Sequence, residues 1–435
     1  MITKENGLRY AKLIHVSVDN GKTDNSNKVY IMEELSDGRI KCEYGRVGKN
    51  MATVYKSSHE WSKIIKEKTS KTKGYTDVTE LLAEPVADDG VTVKTGNNLI
   101  EAIPDSIVRE LIQRLSDYAN KTIQQNYKVT QDAVSEAQVN AAQEILSAIT
   151  TMAAVGVKKK DLDDLLLKLY TIIPRRMDNV KNYLLDDIKD AEDLNKALTF
   201  LNKEQSTLDT MSGQVELIKK QRELAKAEKE AEGKEAKIIS SFTILDQMGI
   251  TAEHVTDKKI IDMVKAKLEG HSRKLHRVYA VVNTKTQPRF DNRLKTAKNK
   301  LVELLFHGSR NANWFNISQT GLMIRPSGAG YNGSMFDDGV YFANDADKSM
   351  GYTDGGRWAG GNGASYTYLG LFEVHLGNQL HIHRHDSSCY SISKKVKSDG
   401  YDSVYAHKGQ SLRKDELIIY DASQTTIKYI VELKN

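Results

Sequence analysis

The spacing of apolar residues changes along this chain, and the changes divide it. Over the first 85 positions apolar residues fall in short runs, Leu13–Val18, Lys28–Met32 and Ile40–Val47. Polar turns, Asp19-Asn20-Gly21 and Ser36-Asp37-Gly38, separate them, which predicts a small antiparallel sheet. A helix follows in which Trp61, Ile64 and Ile65 make an apolar stripe while Lys63, Lys66 and Lys68 face water. Residues 86–103, rich in Asp, Gly, Thr and Asn, read as a linker. The period then turns helical, with Pro104 placed in a first turn ahead of Ile107, Val108, Leu111, Ile112, Leu115 and Tyr118. Further stripes run through Ala141, Ile145, Ile149 and Met152, and through Leu162, Leu165, Leu166, Leu169 and Ile173 up to Pro174. Leu194, Leu198, Leu201, Leu208 and Met211 continue them. No strand signal intervenes, so residues 97–218 are expected to form a helical bundle.

Residues 219–237 have mixed charge and no apolar stripe, as in a solvated helical linker. Strand patterns resume with Ala236–Leu245, His276–Val282, Leu301–Phe306, Val340–Ala343 and Lys414–Asp421, with a helix at Ile260–Leu268. The expected fold class is therefore multidomain α+β: a small antiparallel β-domain over 1–85, an all-α bundle over 97–218 and a mixed α+β domain over 238–435.

Chemistry concentrates in the last third. His307-Gly308-Ser309 ends a buried strand, and Gly308 lets backbone approach a flat ligand. Asn344-Asp345 can cap a short helix that carries Lys348, Ser349 and Tyr352, putting a hydroxyl and an aromatic ring on one face. Glu416 opens an apolar strand, where a carboxylate needs a partner to offset its desolvation. Read singly, His307 fits a structural histidine, Gly308 a turn, Tyr341 a core strand and Ser349 a surface helix.

Together these residues resemble the poly(ADP-ribose) polymerase family, because HGSRNAN, the MF-x-x-G-x-YFA-x-x-x-x-KS-x-x-Y run and the DELIIYD strand occur in family order. The resemblance implies an ADP-ribosyltransferase catalytic domain with a His307, Tyr341 and Glu416 triad, NAD as substrate and no metal. It implies NAD contacts from His307, Gly308, Ser309, Asn313, Tyr341, Ser349 and Tyr352, and an acceptor-side place for Met335. The chain departs from the family at Met323, where an arginine is common and Arg325 stands nearby, at Asp338 in place of a lysine, and at Lys414 in place of an aromatic residue.

The N-terminal sheet also resembles a family module. Glu43-Tyr44-Gly45-Arg46-Val47-Gly48, then a charged helix, then Gly74-Tyr75, is similar to the WGR domain, with Tyr44 in the place of the tryptophan. Leu169-Tyr170-Thr171-Ile172-Ile173-Pro174 is similar to a phrase of the family's helical regulatory domain. These likenesses imply DNA binding through Tyr44 and Arg46, with DNA strand breaks or ends and protein acceptors, including the chain itself, as partners. The charge distribution agrees: formal net charge is only +5, yet residues 39–73 hold ten Lys/Arg against three acids, a net +7. The implied function is a DNA-break-activated poly(ADP-ribose) polymerase in DNA repair. A mono-ADP-ribosyltransferase and a catalytically silent DNA-end-binding scaffold are the alternatives.

Cys42 and Cys389 are too few for a disulfide framework or a four-ligand zinc finger, which fits an intracellular reducing compartment; the family resemblance implies a DNA-associated place there, the nucleus if the source is eukaryotic and the cytoplasm or nucleoid otherwise. No apolar run reaches membrane-span length, and the N-terminus lacks the apolar core of a signal peptide, so no membrane partner is expected. His381, His383 and His385 alternate beside Cys389 in the manner of a metal site, but no acidic or second cysteine ligand completes the set, and a surface strand is the favoured reading. Gly355–Gly363 lacks the strand-Gly-helix context of a phosphate cradle and reads as a surface loop.

Overall fold

The computed structural model describes residues 2–3, 7–18, 25–82, 96–126, 134–154, 158–230, 243–324, 335–354, 356 and 364–435. The chain divides into two compact units, 1–92 with 121–216, and 93–120 with 217–435.

In the first unit, β1 (Ile2–Thr3), β2 (Arg9–Val18), β3 (Asn25–Glu34), β4 (Arg39–Arg46) and β5 (Ala52–Ser57) form an antiparallel sheet in chain order, and β6 (Thr76–Asp77) pairs with β2. Leu13, Met32, Ile40 and Cys42 point to one core that α1 (Trp61–Lys68) closes with Trp61 and Ile64. The strand β5 was not expected. None of its residues is fully buried; Val54 packs at the edge of the same core, and the ladder to β4 holds the rest.

Two helices follow in the chain, α2 (Gly96–Glu101) and α3 (Ser106–Asn126). The first corrects the linker expected over 86–103; residues 86–95 of that stretch lie outside the described residues. Pro104 precedes α3 rather than opening it. Asp105 is the cap, its carboxylate accepting from the N–H groups of Ile107 (2.8 Å) and Val108 (3.2 Å). The helices α4 (Glu136–Ala154), α5 (Lys159–Ile172) and α6 (Ala191–Glu230) complete the first unit up to residue 216. Their apolar stripes meet in one cluster with Val16 and Val18 of β2, so sheet and helices share a core. The helical expectation for 219–237 holds to Glu230, and 231–237 lie outside the described residues.

The second unit adds α7 (Ile244–Met248), β7 (Ile250–His254), α8 (Lys258–Leu268), β8 (Leu275–Asn283), α9 (Thr286–Thr296), β9 (Val302–Gly308), α10 (Trp314–Thr320), β10 (Val340–Phe342), α11 (Ala346–Met350), β11 (Tyr366–His375), β12 (Gln379–Ile382), α12 (Ile392–Ser398), β13 (Ser403–Ala406), β14 (Glu416–Ile419) and β15 (Thr425–Lys434). A strand expected over Ala236–Leu245 is corrected in its described part. Thr243 and Asp246 make a capping box there and start α7.

The strands form two sheets, ordered β7-β8-β15-β11-β9 and β10-β14-β13-β12. A bridge between Phe306 and Ala343 joins β9 of one to the end of β10 of the other, through N–H···O bonds of 2.8 and 3.0 Å. Residues 99–119 also belong to this unit's core, where Ile103, Val108, Leu111, Ile112 and Leu115 cluster with Tyr279, Leu305, Phe372 and Leu417. Arg114 of α3 donates to the buried Glu432 carboxylate of β15 at 2.5 Å, and Tyr368 and Tyr279 donate to the same carboxylate at 3.0 and 3.2 Å.

Candidate functional site

The Phe306–Ala343 bridge brings the His-Gly-Ser turn against β10. His307 follows Phe306, and its Nδ1–H donates to the Tyr341 carbonyl at 3.0 Å. That bond fixes the tautomer and leaves Nε2 as a lone-pair acceptor. The rings of Phe342 and Phe372 meet the imidazole edge-on at 5.8 and 6.1 Å and hold its plane. Burial depresses the imidazole pKa, opposed by the bond to Tyr341, so the ring is neutral at pH 7.

Gly308 serves close approach. A Cβ there would lie 1.9 Å from the Ser349 carbonyl oxygen, so only glycine lets α11 pack on the turn. Ser349 is buried, 3% exposed, and is thus no surface helix residue. The expectation that Ser349 and Tyr352 share a helical face is corrected: α11 ends at Met350, and Tyr352 sits in the following turn with its N–H on the Ser349 carbonyl (3.1 Å). Tyr352 is 36% exposed, and partial burial with the nearby Glu416 charge pushes its hydroxyl up to about 12.

The hydroxyl of Tyr341 donates to the Asp337 carbonyl (2.8 Å) and accepts from the Phe336 N–H (3.0 Å), and burial raises its pKa far above the ordinary phenol range. Those bonds commit the hydroxyl, so Tyr341 contributes a fixed ring rather than a proton. Ser309 and Asn313 lie together as well, with the Asn313 amide donating to Ser309 Oγ at 2.9 Å.

Glu416 begins β14 between β10 and β13 and is only 4% exposed. Lys348 Nζ pairs with its Oε1. Among the described residues Oε2 is buried with no hydrogen-bond partner. Burial raises the carboxyl's pKa, while the charge and hydrogen bond of Lys348 oppose that rise. An unpartnered buried carboxylate oxygen can accept a hydrogen bond from a hydroxyl donor. Sequence reasoning placed Lys348 on the helix without assigning it to Glu416. It likewise left Lys414 at an odd position; its ammonium pairs with Asp345.

Several expected residues stand apart from this cluster. Met323 is 47% exposed, and Arg325 lies outside the described residues, as do 355 and 357–363 of the glycine-rich loop. Among the histidines, His381 and His383 meet His407, with ring centroids 5.0 and 4.2 Å apart. His385 instead bonds the Met335 carbonyl at 2.8 Å, and Cys389 is buried against other side chains, so the four do not converge. No group of three or more His, Cys, Asp or Glu among the described residues is arranged to hold a metal.

In the first unit Arg46 spreads its guanidinium over the carbonyls of Met177 (2.8 and 3.0 Å), Asp178 (2.8 Å) and Asn25 (2.8 Å). Tyr44 is 39% exposed and stacks on Tyr30 at 5.6 Å. Of the +7 segment, Arg39, Lys41 and Lys56 pair with local acids, whereas Lys63, Lys66, Lys71 and Lys73 are exposed.

A family profile described as "Poly(ADP-ribose) polymerase catalytic domain" matches residues 256–435, which contain the whole cluster. The "Putative poly [ADP-ribose] polymerase-like 100L" of Invertebrate iridescent virus 6 is 30% identical over 164 residues, 37% of this chain and 86% of that protein. An "Uncharacterized protein 101L" of the same virus is 30% identical over 206 residues, 47% of this chain and 77% of the relative. The "Poly [ADP-ribose] polymerase" of Drosophila melanogaster is 24% identical over 392 residues, 80% of this chain; the match spans 36% of that longer protein. No helix among the described residues is long and apolar enough to cross a membrane.

Proposed function

Because the chain belongs to the poly(ADP-ribose) polymerase family and is an NAD ADP-ribosyltransferase, we propose that it builds poly(ADP-ribose) on protein acceptors, itself included, in response to DNA breaks inside the cell. The observation that carries polymer formation is Glu416: a buried carboxylate with one oxygen on Lys348 and the other unpartnered, on a strand paired with that of Tyr341. The C–N bond between nicotinamide and ribose breaks with its electrons leaving on nicotinamide, through an oxocarbenium-like transition state as in glycoside hydrolysis. The acceptor hydroxyl oxygen forms the new bond to the same carbon and gives up its proton to water. In this reading Glu416 Oε2 accepts from a ribose hydroxyl, stabilises the developing positive charge and orients the acceptor. His307 Nε2 anchors a second ribose hydroxyl. Tyr341 and Tyr352 flank the nicotinamide ring, while Gly308 and Ser349 hold its carboxamide. Ser309 and Asn313 line the ribose and adenine side.

The contacts of Arg46 support a route from DNA to the catalytic site. One guanidinium ties β4 to the loop after α5, and Tyr44 lies on the same sheet as the basic stretch 39–73, whose exposed lysines surround α1. DNA that binds the open state better than the closed one shifts the population toward activity. The test is transfer from labelled NAD with and without DNA ends, resolved by product length. Long products made only with DNA are expected, with a response that weakens as salt rises. Arg46→Ala is expected to lose most of the stimulation. Equal turnover with and without DNA would remove the activation reading, and single-unit products would favour a mono-ADP-ribosyltransferase.

A further inference from the structure

A five-residue helix cannot hold itself in water, because nucleation fixes several residues for one hydrogen bond. The position of α11 must therefore come from its surroundings. Two ion pairs join it to the segment that enters β14. Lys348 of the helix pairs with Glu416, and Asp345 at the helix cap pairs with Lys414. The polarity alternates: the helix offers an acid and then a lysine, the strand a lysine and then an acid. A slipped register would face Lys348 with Lys414 or Asp345 with Glu416, and like charges at that distance repel. Only the observed register satisfies both pairs. Asp345 also sets the helix start directly, with Oδ1 accepting from the Asp347 N–H at 2.8 Å and Oδ2 taken by Lys414. Lys414 lies 3.9 Å from Asp347 as well.

We propose that Lys414 is a positioning residue for the transfer reaction: through Asp345 it fixes the register of α11, and so holds Lys348 on Glu416 and Ser349 against Gly308. The proposal rests on Glu416 acting in ADP-ribosyl transfer. Among the described residues the ion pairs of Lys414 are to Asp345 and Asp347, and its effect passes through the helix.

The test uses the full chain and measures kcat and KM for NAD in Lys414→Met, Lys414→Arg, Asp345→Asn and the double variant Lys414→Met/Asp345→Asn. Asparagine keeps the cap acceptor and removes the charge. Lys414→Met and Asp345→Asn are each expected to lower kcat by about 10- to 100-fold, the order for an ångström-scale misplacement, with KM within about twofold. Lys414→Arg is expected to retain most of kcat. The double variant should be no worse than the worse single one, as for two groups acting through one contact. A kcat for Lys414→Met within about twofold of wild type, a change confined to KM, or losses that multiply in the double variant would each overturn the proposal. Failure of the Glu416 reading shows separately, as a wild-type chain that transfers no ADP-ribose or a Glu416→Gln variant that transfers it normally.

Discussion

Excising the helices tests which of them the catalytic unit needs. Residues 97–218 read as one bundle by sequence, yet Ile103, Val108, Leu111, Ile112 and Leu115 are all at most 1% exposed inside the core of the second unit. Burial of such side chains contributes about 1.5–3 kcal/mol each, so these five are worth about 8–15 kcal/mol. That is as large as the roughly 5–15 kcal/mol that holds a whole domain together. Loss of Arg114 would also strand the fully buried Glu432, whose Oε1 it supports at 2.5 Å, at a cost of about 3–5 kcal/mol. Replacing 97–216 by a flexible Gly/Ser linker is therefore expected to abolish cooperative folding. Replacing only 121–216 leaves those contacts in place while it strips the first unit's sheet of the helices that share its core, so the second unit should still melt cooperatively and, on the activation reading, turn over NAD without DNA. Thermal melting and nicotinamide release on both variants provide the check. A 97–216 excision that melts like the shorter one would refute the assignment of α3 to the catalytic core.

Two further outcomes follow from the site. Gly308→Ala places a methyl 1.9 Å from the Ser349 carbonyl oxygen; a C···O contact needs about 3.3 Å, so α11 must retreat by about 1.4 Å. NAD turnover should fall by about 100-fold or more, and a near-normal kcat/KM would show that α11 does not set the site. Lys348→Met removes the group that opposes the burial-driven rise of the Glu416 pKa. In the proposed mechanism ionised Glu416 is the active form, so activity is expected to be lost as pH falls through that raised pKa. The acid limb of kcat should then move upward, as loss of an adjacent opposite charge requires; an unmoved limb contradicts the role of Lys348.

The local pieces of the candidate site were legible as an ordered set rather than singly, since HGSRNAN, the YFA run and DELIIYD follow one another along the chain and carry His307, Tyr341 and Glu416. What joins them was not. The Phe306–Ala343 bridge and the Lys414–Asp345 pair connect positions far apart in sequence, and no periodicity encodes such pairings. The error at α7 has a different origin. Ile244-Leu245 is too short an apolar run to tell strand from helix, although Thr243 and Asp246 at cap spacing carried the signal. The strand β5 was missed because only Val54 among its residues is an apolar side chain turned to the core, and the rest of the strand is defined by its register to β4. The helices were readable from their stripes. Which core each stripe faces was not, and α3 is the case where that mattered.

The account turns on Glu416. The most direct measurement is the length of products made from labelled NAD by wild type and by Glu416→Gln, run side by side on a denaturing gel with DNA ends present, alongside nicotinamide release. Wild type is predicted to make long, acceptor-linked chains. Glu416→Gln, which keeps the shape and loses the charge, is predicted to bind NAD and to cleave it or transfer single units without elongation. Long polymer from the glutamine variant would contradict the account.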